Sequence, residues 1–292
     1  MINMKYIYAK FSSFIEIIEK NRKKLVIVSN IVVVLSLITI YFSFSNEISF
    51  QITLFFNNQF LYVILFGIIS YSFLFLSWNI YSKNENIDSS IYNNFVTFSY
   101  SNMAKYIPGS LGLFFYRTLL YKVTKDSLKK ILKGVLCEQF IPIIIFTLLF
   151  GTFWSGFLLE DNIYLVFIFF ILFLLLTLKF LNLIQYFYYI LSFLLHVFFQ
   201  LIMLYLFFDM FCENNAFENS FKYLLSNYLG SFLIGAPAGI GIREGISLLL
   251  LDNQSCLIIN ALIYLRVIYL MLDFLFFFIG LIIKKFKVDQ KN

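Results

Sequence analysis

The chain is 292 residues long, 61% hydrophobic and 21% aromatic, with only 13% charged residues, a composition that no water-soluble globular domain carries. It reads as an all-α, polytopic helical membrane protein. The net charge of +6 would suggest nucleic acid in a soluble chain, but an excess of cytoplasmic Lys and Arg accounts for it here, and nucleic acid is excluded as a partner. Cys137, Cys212 and Cys256 form no CxxC pair and lie in or beside apolar runs, so they read as small hydrophobes rather than a disulfide framework or a zinc site. His196 is the single histidine, which rules out a His-rich metal cluster; no metal and no cofactor are expected.

In chain order, residues 1–24 place Ile7, Phe11, Phe14, Ile15 and Ile18 at helical spacing. This predicts an amphipathic helix in the headgroup layer rather than a cleavable signal, because no small-residue cleavage pattern follows. Arg22, Lys23 and Lys24 mark the cytoplasmic end of a first span, Leu25–Phe44, long enough to cross about 30 Å of hydrocarbon. The loop Ser45–Gln59 has no Lys or Arg and lies outside. Phe60–Ile80 returns to a cytoplasmic stretch that carries Lys83, Lys105, Arg117, Lys122, Lys125, Lys129, Lys130 and Lys133. Gly134–Phe153 leads out to Glu160 and Asp161, Ile163–Leu178 comes back to Lys179, and Tyr189–Phe208 leads out to Asp209, Glu213 and Glu218. The last span, about Leu257–Ile283, ends in Lys284, Lys285 and Lys287 of a basic cytoplasmic tail, 284–292. The Asn-rich stretches Asn84–Asn94 and Asn214–Asn219 read as loops, and Phe274–Phe278 as lipid-facing filler.

This topology has six full spans and leaves two segments that begin and end on one side: Ile91–Tyr121 on the cytoplasmic side and Phe221–Leu251 outside. Each is broken near its middle, by Lys105-Tyr-Ile-Pro-Gly-Ser-Leu-Gly112 and by Gly235-Ala-Pro-Ala-Gly-Ile-Gly-Ile-Arg-Glu-Gly245. The breaks hold Pro108 and Pro237 of only 3 prolines. The pattern predicts two opposed re-entrant helical hairpins, an inverted repeat with a binding site between the tips, within a single membrane domain, 25–283. Two pairs of full crossings would satisfy the same charge pattern.

At these residues the chain resembles the membrane domain of lysylphosphatidylglycerol synthases and the free-standing, flippase-like proteins related to it. The family's late motif looks like Pro-Gly-Gly-x-Gly-x-Arg-Glu, met by Pro237, Gly239, Gly241, Arg243 and Glu244, with Ala238 in place of one glycine. Its early elbow is similar to Lys105–Gly109, though Ser110 stands where a basic residue is common. Ile263-Tyr-Leu-Arg266 resembles the start of its final helix. The resemblance implies lipid handling in cell-envelope or surface-glycan biosynthesis, without aminoacyl transfer.

Arg243 and Glu244 lie at the start of a half-helix whose amides and flanking glycines suit an anionic headgroup. The alternative is a solvated ion pair at the cytoplasmic interface. Arg266 and Asp273 share a face of the last helix two turns apart, so Arg266 is either a second phosphate ligand or the partner of Glu244 or Glu138. The substrate-binding set is therefore Lys105, Pro108, Gly109, Arg117, Pro237, Gly239, Gly241, Arg243, Glu244 and Arg266. Glu138 and Asp273 are the candidates for coupling, with a solvated cytoplasmic end as the simpler reading of Glu138. His196 reads as a hydrogen-bonded packing residue.

The expected function is transport of a membrane phospholipid or lipid-linked sugar across the cytoplasmic (inner) membrane, with no catalytic residues. The alternatives are a membrane glycosyl or phosphoglyceryl transferase, and a non-catalytic scaffold that partners a glycosyltransferase in polysaccharide assembly.

Overall fold

The computed structural model describes residues 57–88, 90–106, 113, 117–118, 120–121, 129–142, 186–212, 215–232, 242–251 and 258–289. All regular structure among them is helical: α1 (Asn58–Asn84), α2 (Ile91–Ala104), α3 (129–142), α4 (Phe187–Phe211), α5 (Ala216–Phe232), α6 (Ile242–Leu250) and α7 (Ile258–Asp289). Three of these, α1, α4 and α7, are long and apolar enough to cross a membrane. They coincide with the spans expected at 60–80, 189–208 and 257–283. The N-terminal helix and the spans at 25–44 and 163–178 lie outside the described residues, as does the second half of the span at 134–153.

Local chemistry fixes the helix ends. The Asn57 side chain accepts from the Gln59 amide at 3.1 Å and caps α1. At the far end the Ile87 amide reaches the Ser82 carbonyl and the Asn86 amide the Lys83 carbonyl, with Asn86 at φ 54°. That double return is a helix stop that needs a left-handed residue, a conformation asparagine tolerates. Ser90 caps α2. The two Asn-rich stretches are therefore not simply loops: α2 begins at Ile91 and α5 at Ala216, so Asn93, Asn94 and Asn219 are helical. Asn94 turns inward, fully buried, because it has partners there. Helix α7 likewise continues through Lys284 and Lys285 to Asp289.

Helices α1 and α4 run antiparallel as the central pair. Gln59 Nε2 donates to Asp209 Oδ2 (2.9 Å) at one end, and Tyr186 OH donates to Glu85 Oε1 (2.5 Å) at the other. Helix α7 lies parallel to α1. Leu272 presses into the gap left by Gly67, where a Cβ would stand 2.8 Å from its Cδ1, and Phe276 meets the Tyr71 ring at 5.6 Å. Residues 272–276 therefore lie beside the middle of α1. Phe276 is a buried packing residue, while Phe274 and Phe278 are exposed.

Hydrocarbon offers no hydrophobic drive for helix association, so close packing and buried hydrogen bonds must hold such a bundle. His196 is one such residue: its Nδ1 donates to the Ser70 carbonyl (2.9 Å) and Ser70 Oγ donates to the His196 carbonyl (3.1 Å). Tyr228 OH donates to Gln200 Oε1 (2.7 Å) and Gln200 Nε2 to Tyr269 OH (2.9 Å), linking α5, α4 and α7.

The two interrupted segments are built alike. Arg117 meets Ser101 and Tyr121 meets Asn94, so the return leg runs antiparallel to α2. In α5 and α6, Ser226 bonds Ser247 (2.5 Å) and Gly230 faces Arg243, again an antiparallel pair.

Cys212 is disulfide-bonded and Cys137 is free, which corrects the expectation that none of the three cysteines is in a disulfide.

Helix α3 packs on α1 through Gly134, where a Cβ would stand 2.7 Å from Tyr81 Cδ1 and 2.9 Å from Trp78 Cζ3, both rigid ring atoms. Gly134→Ala is expected to cost about 1–3 kcal/mol, read as a lower Tm in detergent. Gly245→Ala, with open space at its Cβ, should leave Tm unchanged. Equal Tm values for the two variants would contradict this packing.

Candidate functional site

Among the described residues two clusters of buried charged side chains stand apart from the more exposed pairs Lys133 to Glu85 and Lys222 to Glu218, and helix α7 organises the first. Its Asp273 is 1% exposed. One carboxylate oxygen, Oδ2, accepts from Lys105 Nζ at 2.7 Å and from Tyr106 OH at 2.6 Å, both just past the C-terminal end of α2. The other oxygen, Oδ1, is buried without a partner. Seven residues earlier, about 10 Å along the helix, Arg266 Nε donates to Glu244 Oε1 at the start of α6. One face of α7 thus takes a partner from each interrupted segment.

Arg243 stands between the two pairs. It lies within electrostatic reach of Arg266, Glu244, Tyr223 and Tyr106, and of Lys105. Its Nε is buried without an acceptor, and it has no ion pair among the described residues. Gly230 makes room for it, since a Cβ there would stand 3.0 Å from Arg243 Cα and 3.1 Å from its Cβ. Among the described residues, three cations, Lys105, Arg243 and Arg266, therefore share this space with two carboxylates, Glu244 and Asp273, one positive charge more than the negative. An excess charge in a poorly solvated place is costly alone and attractive to an anion.

The second cluster is sealed. Arg117 is 0% exposed; its Nη1 donates to Glu138 Oε2 (2.6 Å), its Nε donates to Ser101 Oγ (3.0 Å), and its guanidinium lies 4.1 Å from the Trp78 ring centroid. Glu138 is 7% exposed, which corrects the expectation of a solvated end; the arginine it pairs with draws it inward. Around them Trp78 Nε1 donates to Tyr121 OH (2.9 Å), which donates to Asn94 Oδ1 (2.8 Å), and Asn94 Nδ2 donates to Asn79 Oδ1 (2.9 Å). This network ties the return leg of the first segment to α1, α2 and α3. Arg117 Nη2 and Glu138 Oε1 are buried without partners, and it is the full burial of Arg117 that closes it to a headgroup.

Of the residues singled out from sequence, Lys105, Arg243, Glu244, Arg266 and Asp273 come together, while Arg117 and Glu138 form the separate, closed cluster. Pro108, Gly109, Pro237, Gly239 and Gly241 lie outside the described residues. Sequence reasoning gave no role to Tyr106, Trp78, Ser101 or Asn94; polar side chains at helical spacing inside apolar segments were the available signal.

These features describe a helical protein with three helices long and apolar enough to cross a membrane and a group of charged side chains gathered on one of them. No family model matches the chain, and neither the curated proteins nor the solved structures contain a match.

Removing one partner of a buried ion pair strands the other charge. Arg117→Ala is therefore expected to cost about 3–5 kcal/mol, and Arg117→Met with Glu138→Leu clearly less. Unfolding in detergent measures both; a double variant no more stable than the single one would contradict the pairing.

Proposed function

We propose that this protein carries an anionic amphiphile across the inner membrane, its headgroup passing over the Lys105, Arg243 and Arg266 group while the acyl chains stay in lipid. The observation that carries this reading is Arg243: a cation with a buried, unanswered Nε, in a group with one positive charge to spare. A guanidinium in this state offers paired donors that match a phosphodiester.

The proposed architecture has six spans and two re-entrant hairpins entering from opposite faces. Three observations support it. The legs of each interrupted segment pair antiparallel, α6 is only 9 residues long, about half a bilayer at the helical rise, and both inner ends converge on α7. Orientation follows from chemistry at the two ends. Lys83, Lys130 and Lys133 gather where α1 ends and α3 begins, which supports a cytoplasmic location for that end. Asp209 and the disulfide-bonded Cys212 lie at the opposite end, as an oxidising exterior requires. The resemblance of both motifs to flippase-like proteins supports the same activity.

Vesicles holding the purified protein and a fluorescent phosphatidylglycerol test this directly. Inward and outward exchange should exceed that of empty vesicles and fall at least about tenfold in Arg243→Ala, the cost of about 1.4 kcal/mol of lost headgroup interaction. Gly230→Val, which displaces the arginine without removing it, should fall likewise. Rates equal to empty vesicles, or untouched by both substitutions, would overturn the proposal.

A further inference from the structure

Lys105 belongs to two possible ion pairs at once, and this has a consequence for Asp273. In the structure it is bound to Asp273, yet its side chain is 23% exposed while that of Asp273 is 0% exposed, so the lysine borders accessible space and the carboxylate does not. An anion that docks on Arg243 enters the electrostatic field of the same lysine. The guanidinium and the ammonium would both turn to it, since a shared anion satisfies two cations that otherwise repel.

Asp273 would then keep only the Tyr106 hydroxyl. The groups facing it from the other elements are Tyr71 on α1 and Lys105 and Tyr106 at the end of α2, and Arg243 of α6 lies near all three. Apart from the cations claimed by the anion, only phenols remain among these described groups. A buried carboxylate left with one phenol and one orphan oxygen is not stable as an anion, and the remedy open to it is a proton. Oδ1 is the atom free to take it.

We infer that anion binding at Arg243 and proton uptake at Asp273 are one coupled event, so that the protein moves its anion together with a proton. The inference rests on the anion site proposed above. Lys105 remains an ammonium throughout; the anion replaces Asp273 as its partner, and the proton from solvent ends on Asp273 Oδ1, so the added charges cancel for a monoanion. A transporter working this way draws on the transmembrane proton gradient, and the nucleotide-binding motif its sequence lacks is not needed.

The test is calorimetric titration of the detergent-solubilised protein with dioctanoyl phosphatidylglycerol in two buffers of different ionisation enthalpy, PIPES and Tris. The difference in observed heat should report uptake of about one proton per lipid bound, and the affinity should tighten as pH falls, by up to about tenfold per unit. The sign is fixed: binding that consumes a proton is favoured by acid. Asp273→Asn, whose amide stands in for the protonated acid, should bind with no proton uptake and with affinity flat across the same range. Saturable binding without a buffer-dependent heat in the unaltered protein overturns the coupling while leaving the anion site standing. Absence of saturable binding overturns the site and the coupling together. Because the decisive measurement is on the unaltered chain, a variant that fails to fold does not rescue the idea.

Discussion

Everything polar in this bundle depends on the cost of holding charge where water is scarce. A buried carboxylate or ammonium must find a partner, and the partner must be brought by the fold. Helix α7 presents Asp273 and Arg266 on one face, and the chain answers with Lys105 and Tyr106 from one interrupted segment and Glu244 from the other. These pairings fix where both segments end. Without them neither inner end would have a reason to stop beside α7, because packing against lipid-like surfaces gives little preference among positions.

The two charged clusters obey the same rule with opposite results. Arg117 and Glu138 match one for one, with the Trp78 ring covering the guanidinium, and the result is a closed joint between the first segment and α3. Among the described residues the group on α7 does not match, since three cations share two carboxylates; orphaned buried atoms do not separate the clusters, because Arg117 Nη2 and Glu138 Oε1 lack partners as Arg243 Nε and Asp273 Oδ1 do. Closed clusters suit structure, and unbalanced ones suit ligands and exchange. That asymmetry, rather than the presence of charge in the membrane, separates the site from the scaffold.

The long apolar runs were legible as helices because a run of that length in hydrocarbon has one way to satisfy its backbone. The breaks at Lys105–Gly112 and Gly235–Gly245 drew attention to Lys105, Arg243 and Glu244, which the fold brings beside α7, because proline, glycine and charge together are costly in an apolar run. Partner choice was not legible. Arg117 and Lys105 flank the same elbow and look equivalent in sequence, yet one turns toward Glu138 and the other toward Asp273, a choice made by tertiary packing. The same holds for Asn94, whose loop-like composition was overridden by Asn79, Ser82 and Tyr121.

The central claim is that two separately interrupted segments meet on α7 to make one anion site around Arg243. An experimental structure determined with dioctanoyl phosphatidylglycerol tests it most directly. The account predicts the phosphate within hydrogen-bond reach of Arg243, about 3 Å, with Lys105 Nζ turned from Asp273 toward it. Lipid confined to the apolar exterior, with the Lys105 to Asp273 pair intact and Arg243 still without an acceptor, would contradict it.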